Sequence, residues 1–354
     1  MLGRSLARLL LLTASLGVAP ALAAEVSTKD SGHAQNPQWS PDGQWLAFEI
    51  NNMSNTVELF LVQVNGGQPG DPAQLKIPGA SSSFGGGSVA STPVWASNPN
   101  LMVIFEGTNA GGVMRLYYAA PGAGAPNELI TASQMQGNLA APAMAPDGSR
   151  FAFVADATGM GDIYVWDIAS GEINNIFPSN VTESNPSFSP DGKKLVFSRK
   201  NKGNEDLFTW TGSSTTPPLL GGAGDQTRPR WAGDQVVYFT GERGEGHWDI
   251  AVSSGPGERT VIARDVRLPA RSAPALAPDS GAVAYTMADP DKGGSVFVTR
   301  LDGSGTKEIP TGLVACGEPS LVSVNGRTLL AFTALPAEGS DWRRLHIIDV
   351  TGKI

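Results

Sequence analysis

Four groups of residues in this sequence have chemistry to offer: a repeated aspartate, three histidines, one cysteine and a few loop acids. The aspartate recurs in "NPQWSPDGQWLAFEI" (36–50), "APAMAPDGSRFAFVA" (141–155) and "NPSFSPDGKKLVFSR" (185–199). A carboxylate followed by glycine in a tight loop is a form that cation sites take. A metal loop, however, needs its carboxylate in every copy. Here Asp191-Gly192 is matched by "PNL" (99–101), "GDQ" (233–235), "DSG" (279–281) and "VNG" (324–326). A turn tolerates such changes. Proline presets φ at its second position, Asp suits the third, and Gly accepts the positive φ that leads into the next strand. The motif therefore reads as a corner.

The other groups are equally spare. "ADPDKGGS" (288–295) sets Asp289 and Asp291 near Asp302, but it has no distal glutamate and reads as a solvated hairpin tip rather than a calcium loop. The histidines are His33, His247 and His346, with no helical H-x-x-x-H pair to build a local zinc site. His346, in "RLHIIDV", reads as a packed or edge residue of a strand. No G-x-S-x-G is present, and its nearest relative, "GGSVA" (86–90), lies in a Gly/Ser insertion rather than between a strand and a helix. Cys316 is the only cysteine, so intramolecular disulfides are excluded and a small, unreactive thiol is expected. These residues imply no cofactor and no metal.

The elements that position them form an internal repeat. Aligned on the proline that opens each quoted stretch, seven units begin near residues 36, 92, 141, 185, 228, 273 and 318, with Pro37, Pro93, Pro142, Pro186, Pro229, Pro274 and Pro319 in register. Their spacings are 56, 49, 44, 43, 45 and 45 residues, and the long first interval contains the insertion "GASSSFGGGSVAS" (79–91). Each unit holds four short runs of β-branched and aromatic residues with alternating polarity, separated by turn formers. Four strands repeated every 43 to 50 residues describe a blade of a β-propeller. The spacing thus predicts an all-β, seven-bladed propeller of four-stranded antiparallel blades; six blades fit the seven prolines less well.

The N-terminus, "MLGRSLARLLLLTASLGVAPALAAEV", carries Arg4 and Arg8, an apolar run from Leu9 to Val18 and the A-x-A site Ala21-Leu22-Ala23. It reads as a signal peptide over residues 1–23, cut between Ala23 and Ala24, with no lipobox cysteine. The apolar run is short for a membrane span. Residues 24–354 then form one propeller domain without a membrane span, either periplasmic or secreted. Without the leader the chain has 23 basic and 33 acidic residues and no basic cluster, a poor match for nucleic acid or an anionic membrane.

The last unit stops after three strands, while "AEVST" (24–28) precedes the first unit with no blade of its own. Those residues are expected to supply the missing outer strand of the seventh blade and so to close the ring.

The repeat resembles the TolB-type, WD-repeat-like propeller family, whose unit reads roughly N-P-x-[WF]-S-P-D-G-x-x-[LI]-[AV]-[FY] before a D-I-[YW] third strand. The matching stretches are 36–48, 141–153 and 185–197, with Asp162-Ile163-Tyr164, Asp206-Leu207-Phe208 and Asp249-Ile250. The family's namesake places an α/β domain ahead of a six-bladed propeller. Here the likeness is to the propeller alone, and a part in the Tol–Pal system does not follow from it. The resemblance implies a bacterial envelope location and is specific for fold rather than activity.

The expected function is a non-enzymatic, monomeric scaffold that binds a protein or peptide. In a propeller the loops leading into the first strands, and those joining second to third strands, emerge on one face around the channel. Candidate binding residues there are Asn36, Asn185, Arg228, Arg230 and Glu318, with Trp248 and Trp342 as aromatic anchors. Arg228 and Arg230 hint at a carboxylate or peptide partner. The alternative is a propeller enzyme, such as a metal-dependent polysaccharide lyase or a hydrolase. It would require the histidines and acids to converge on the axis.

Overall fold

A computed structural model of the chain describes residues 23–26, 32–79, 88–212, 218–277 and 281–353. Residues 1–22, which hold all but the last residue of the expected signal peptide, residues 27–31 and most of the Gly/Ser insertion lie outside the described residues. No helix among the described residues is long and apolar enough to cross a membrane.

Seven antiparallel sheets form the seven blades. The innermost strands are His33–Trp39, Ala90–Ala96, Leu139–Met144, Glu183–Phe188, Gln226–Ala232, Ala275–Ala277 and Val314–Val324. Three strands follow each of the second to sixth, four follow the first because its outer edge is split into Gln68–Pro69 and Ala73–Leu75, and Arg327–Leu335 and Arg344–Asp349 follow the last. Blade 7 is completed by Ala24–Val26, which pairs antiparallel with Arg344–Asp349 in the register Glu25 to His346. Its edge is thereby covered by the other end of the domain.

The corners behave as their chemistry requires. Gly43, Gly148 and Gly192 have φ of 66°, 74° and 69°. Each donates its amide to the residue three positions back, as Gly192 does to Ser189 O at 2.8 Å. Asp191 Oδ1 accepts from Ser189 Oγ at 2.6 Å and from the Lys193 amide at 3.1 Å, which uses the carboxylate to tie the turn. "ADPDKGGS" forms one 3-10 turn, Pro290–Lys292, capped by Asp289.

Because each sheet buries both faces, the apolar residues collect into seven wedges, each between consecutive blades. An aromatic pair crosses from second to third strand in six blades: Phe48–Phe60, Phe105–Tyr117, Phe153–Tyr164, Phe197–Phe208, Tyr285–Phe297 and, in blade 7, Phe332–His346. Centroids are 5.6–6.1 Å apart, a range in which offset rings attract. His346 thus holds an aromatic ladder position and is buried, as its strand suggests.

Six inner strands share a second feature. The residue before the repeat's proline takes a left-handed backbone: Asn36, Thr92, Ala141, Asn185, Arg228 and Glu318 have φ between 49° and 53°. Proline has no N–H for the ladder, so the strand bulges there and the pairing register shifts. Such residues are strained by about 1–3 kcal/mol each and need partners to hold them. Blade 6 differs. Its inner strand is only Ala275–Ala277, and the preceding segment 267–274 leaves the sheet.

Candidate functional site: a channel closed at one end

The bulges turn backbone amides toward neighbouring blades, and buried carboxylates receive them. Glu49, opposite Gln35 in blade 1, accepts from the Thr92 amide of blade 2 at 2.8 Å. Glu106, opposite Ser91 in blade 2, accepts from the Ala141 amide of blade 3 at 2.8 Å. Glu49 also accepts from Gln35 Nε2 at 2.6 Å and Asn36 Nδ2 at 2.7 Å. Burial outweighs these donors and pushes both carboxyls above the usual carboxylate range.

The departing segment of blade 6 crosses the end of the channel at the level of the bulges. Arg228 of blade 5 donates to Pro269 O at 2.5 Å, Ala270 O at 3.1 Å and Ser272 O at 3.3 Å. Glu318 of blade 7 accepts from the Ala270 amide at 2.9 Å and from Ser272 Oγ at 3.2 Å. Ser272 Oγ also donates to Asn36 Oδ1 of blade 1 at 2.7 Å. Arg271 reaches blade 2, where it donates to Ser91 Oγ at 3.2 Å and pairs with Glu106. Loop 269–272 is therefore tied to blades 5, 7, 1 and 2 at once.

Below this loop lies a channel of about 350 Å³. Its walls descend from Asn36, Thr92, Ala141 and Asn185, through Arg230, to Trp39, Trp95, Met144, Phe188 and Trp231, and end at Pro41 and Pro146 in the corners. A side cavity of about 40 Å³ lies between blades 1, 5, 6 and 7, and Arg230 lines both spaces.

The structure thus sorts the sequence candidates. Asn36, Arg228 and Glu318 meet around the loop and are engaged in holding it. Asn185 and Arg230 line the channel; Asn185 Nδ2 donates to Ser184 Oγ at 3.0 Å. Trp248 and Trp342 are half-buried and do not line the channel. Trp248 packs against the wedge between blades 5 and 6, and Trp342 makes an edge contact with His33 at 5.1 Å. Sequence reasoning missed Glu49, Glu106 and Arg271. A signal existed for the glutamates: both follow the aromatic of the second strand, in "AFEI" and "IFEG", at one repeat position. Arg271 had none, because "LPARSAP" has no counterpart in the other units.

The histidines do not converge. His33 accepts from the Arg343 amide at 3.2 Å, His247 faces Asp265 at 3.3 Å on an exposed loop, and His346 is in its ladder; none lines the channel. Among the described residues no group of three or more His, Cys, Asp or Glu is placed to hold a metal ion. Cys316 is buried against Thr311 Oγ1 at 3.2 Å, and burial pushes its thiol up.

Residues 124–325 match the family model of the TolB beta propeller domain. The chain belongs to that family. Solved structures of the same fold include TolB from Acinetobacter baumannii, with 17% identity over 83% of this chain and 67% of the other and a TM-score of 0.55. An oligogalacturonate lyase from Vibrio parahaemolyticus has 12% identity over 95% of this chain and 100% of the other, with a TM-score of 0.63. The β-propeller domain of the Trilobed protease from Pyrococcus furiosus has 13% identity over 91% and 98%, with a TM-score of 0.57. At these identities the likeness is one of fold. No curated protein sequence matches the chain.

Proposed function

We propose that the protein is an exported, non-enzymatic propeller that binds a protein or peptide partner in the cell envelope, on the face where the second-to-third-strand loops emerge. The observation that carries this reading is where the exposed apolar side chains stand. Among the described residues the exposed large hydrophobics are Met53, Val113, Met160, Ile168 and Val314. Met53, Val113 and Met160 sit on the second-to-third-strand loops of blades 1, 2 and 3, and Val314 starts the inner strand of blade 7 on the same face. Met53 is 68% exposed and Met160 47%. Single exposed hydrophobics need no explanation, but four of five on one face of consecutive blades suit a protein contact. Methionine adapts to a partner surface at low cost.

The test is recovery of partners from an envelope fraction by wild type and by the triple variant Met53→Glu, Val113→Glu, Met160→Glu. The specific partner should fall about tenfold or more, at an unchanged Tm, because three charges are placed in an apolar contact. Equal recovery of every partner would count against this face.

A further inference from the structure

We infer that Arg230 anchors a carboxylate-binding site inside the channel, reached from the corner face and separate from the partner surface on the opposite face. Arg230 stands on the inner strand of blade 5, just past the bulge, and lines both the 350 Å³ channel and the 40 Å³ side cavity. Its one protein acceptor among the described residues is Pro274 O at 3.5 Å, the outer limit of a hydrogen bond. A guanidinium has five N–H donors, so this set is far from complete. The arginines around it differ: Arg228 binds three carbonyl oxygens, and Arg271 has Ser91 and Glu106.

Two further observations agree. Surrounding protein pulls the Arg230 pKa below the ordinary guanidinium range with no acid opposing it, which fits a half-buried, uncompensated cation at the channel wall. Its neighbour Trp231 also lines the channel, and its buried indole N–H has no acceptor. The indoles at the same repeat position in blades 1 and 2 do have one: Trp39 donates to Ser320 O at 3.2 Å and Trp95 to Gln38 O at 2.9 Å. Buried donors are nearly always satisfied, so the unpartnered Trp231 N–H beside an Arg230 with one long acceptor marks this stretch of blade 5 as short of acceptors.

The chemistry of that ligand follows from the walls. A planar guanidinium fork matches the two oxygens of a carboxylate. One free positive charge balances one carboxylate and leaves a dianionic phosphate half uncompensated, with the acids Glu49 and Glu106 close to the upper end. Trp39, Trp95, Met144 and Phe188 offer an apolar wall for the stem that carries the carboxylate. The volume admits a side chain or a short chain end, not a folded domain. Since Arg271 and Ser272 cross the upper end, the way in is past Pro41 and Pro146.

The mature chain is titrated calorimetrically with three acetylated tetrapeptides of one sequence: a free C-terminal carboxylate, its amide, and the amide with one internal Asp. At least one carboxylate form should bind roughly tenfold tighter than the plain amide, and which one does so identifies the source of the group. Arg230→Gln should abolish that preference. Equal affinity for all three peptides, no binding by any, or a preference that survives Arg230→Gln would overturn the site. Stability supplies a second readout. An unpaired, half-buried cation opposes folding, so Arg230→Met should hold Tm or raise it by roughly 2 °C without peptide. A clear drop would make Arg230 a structural residue and overturn the inference. The triple variant Met53→Glu, Val113→Glu, Met160→Glu, on the opposite face, should keep the peptide preference, so failure of one proposal is distinguishable from failure of the other.

Discussion

Arg271 Nη1 lies 3.7 Å from Glu106 Oε2, although the arginine belongs to the loop leading into blade 6 and the glutamate to blade 2. The pair spans the channel and joins blades that do not touch in the ring. The same guanidinium also favours ionisation of Glu49, so one cation serves two buried carboxyls that burial pushes upward.

Removing that cation should have a pH signature. A carboxyl whose folded pKa exceeds its unfolded one favours the fold at low pH and loses that contribution as pH rises through the folded value. Arg271→Gln raises both folded pKa values further. It should therefore cost less near pH 5 than near pH 8, where the loss should be about 1–3 kcal/mol, read as urea midpoints at the two pH values. An equal loss at both would show that the two glutamates do not depend on Arg271.

His346 acts with the opposite sign. Burial, with Arg344 adding to it, lowers its pKa from 6.5 to about 4. The unfolded chain then binds the proton first, so stability is full above pH 6.5 and declines as pH falls toward 4, by up to about 3 kcal/mol. His346→Phe keeps the ring on Phe332 and should remove this decline. The remaining slope between pH 4.5 and 6.5 combines Glu49, Glu106 and Glu183, raised by burial and favouring the fold on acidification, with His33, lowered by burial and opposing it, and should be shallower than in wild type. A variant with the wild-type slope would remove His346 from the account.

Ring closure is tested at Val26. This residue pairs with Leu345 and is buried among Leu345, Ile347 and the blade 1 core. Val26→Asp buries an unpaired charge and should cost about 3–5 kcal/mol, lowering Tm by roughly 6 °C or more in calorimetry. Deletion of residues 24–30 should do the same, and an unchanged Tm in either would mean that the closing strand contributes nothing.

The corners should respond as turns. Asp191→Ala removes two hydrogen bonds at an exposed corner and should cost about 1 kcal/mol, with no change in the effect of added calcium. Gly148→Ala should cost about 2 kcal/mol or more, because its φ is 74° and a Cβ would lie 2.7 Å from Asn98 O. Denaturation midpoints check both. A midpoint that calcium raises in wild type but not in Asp191→Ala would make the aspartate a ligand.

The sequence by itself determined the blades, their number, the corners and the strand that closes the ring. Those features rest on turn chemistry and on alternation within a few residues, and seven copies of "NPSFSPDG" and its variants repeat the same local message. Even the role of His346 is written in its repeat position, opposite Phe332 where other blades carry a second aromatic. The candidate site is different. Arg228 and Arg230 are two residues apart and look alike in sequence, yet one holds loop 269–272 and the other faces the channel almost unpartnered. Only the tertiary structure decided this, because the groups that occupy or spare a side chain here come from other blades. Glu318 lies 48 positions from Ala270, and Arg271 lies 165 from Glu106. Repeats make every blade locally alike; the functional difference arises where blade 6 breaks the pattern and its neighbours across the axis receive the loop.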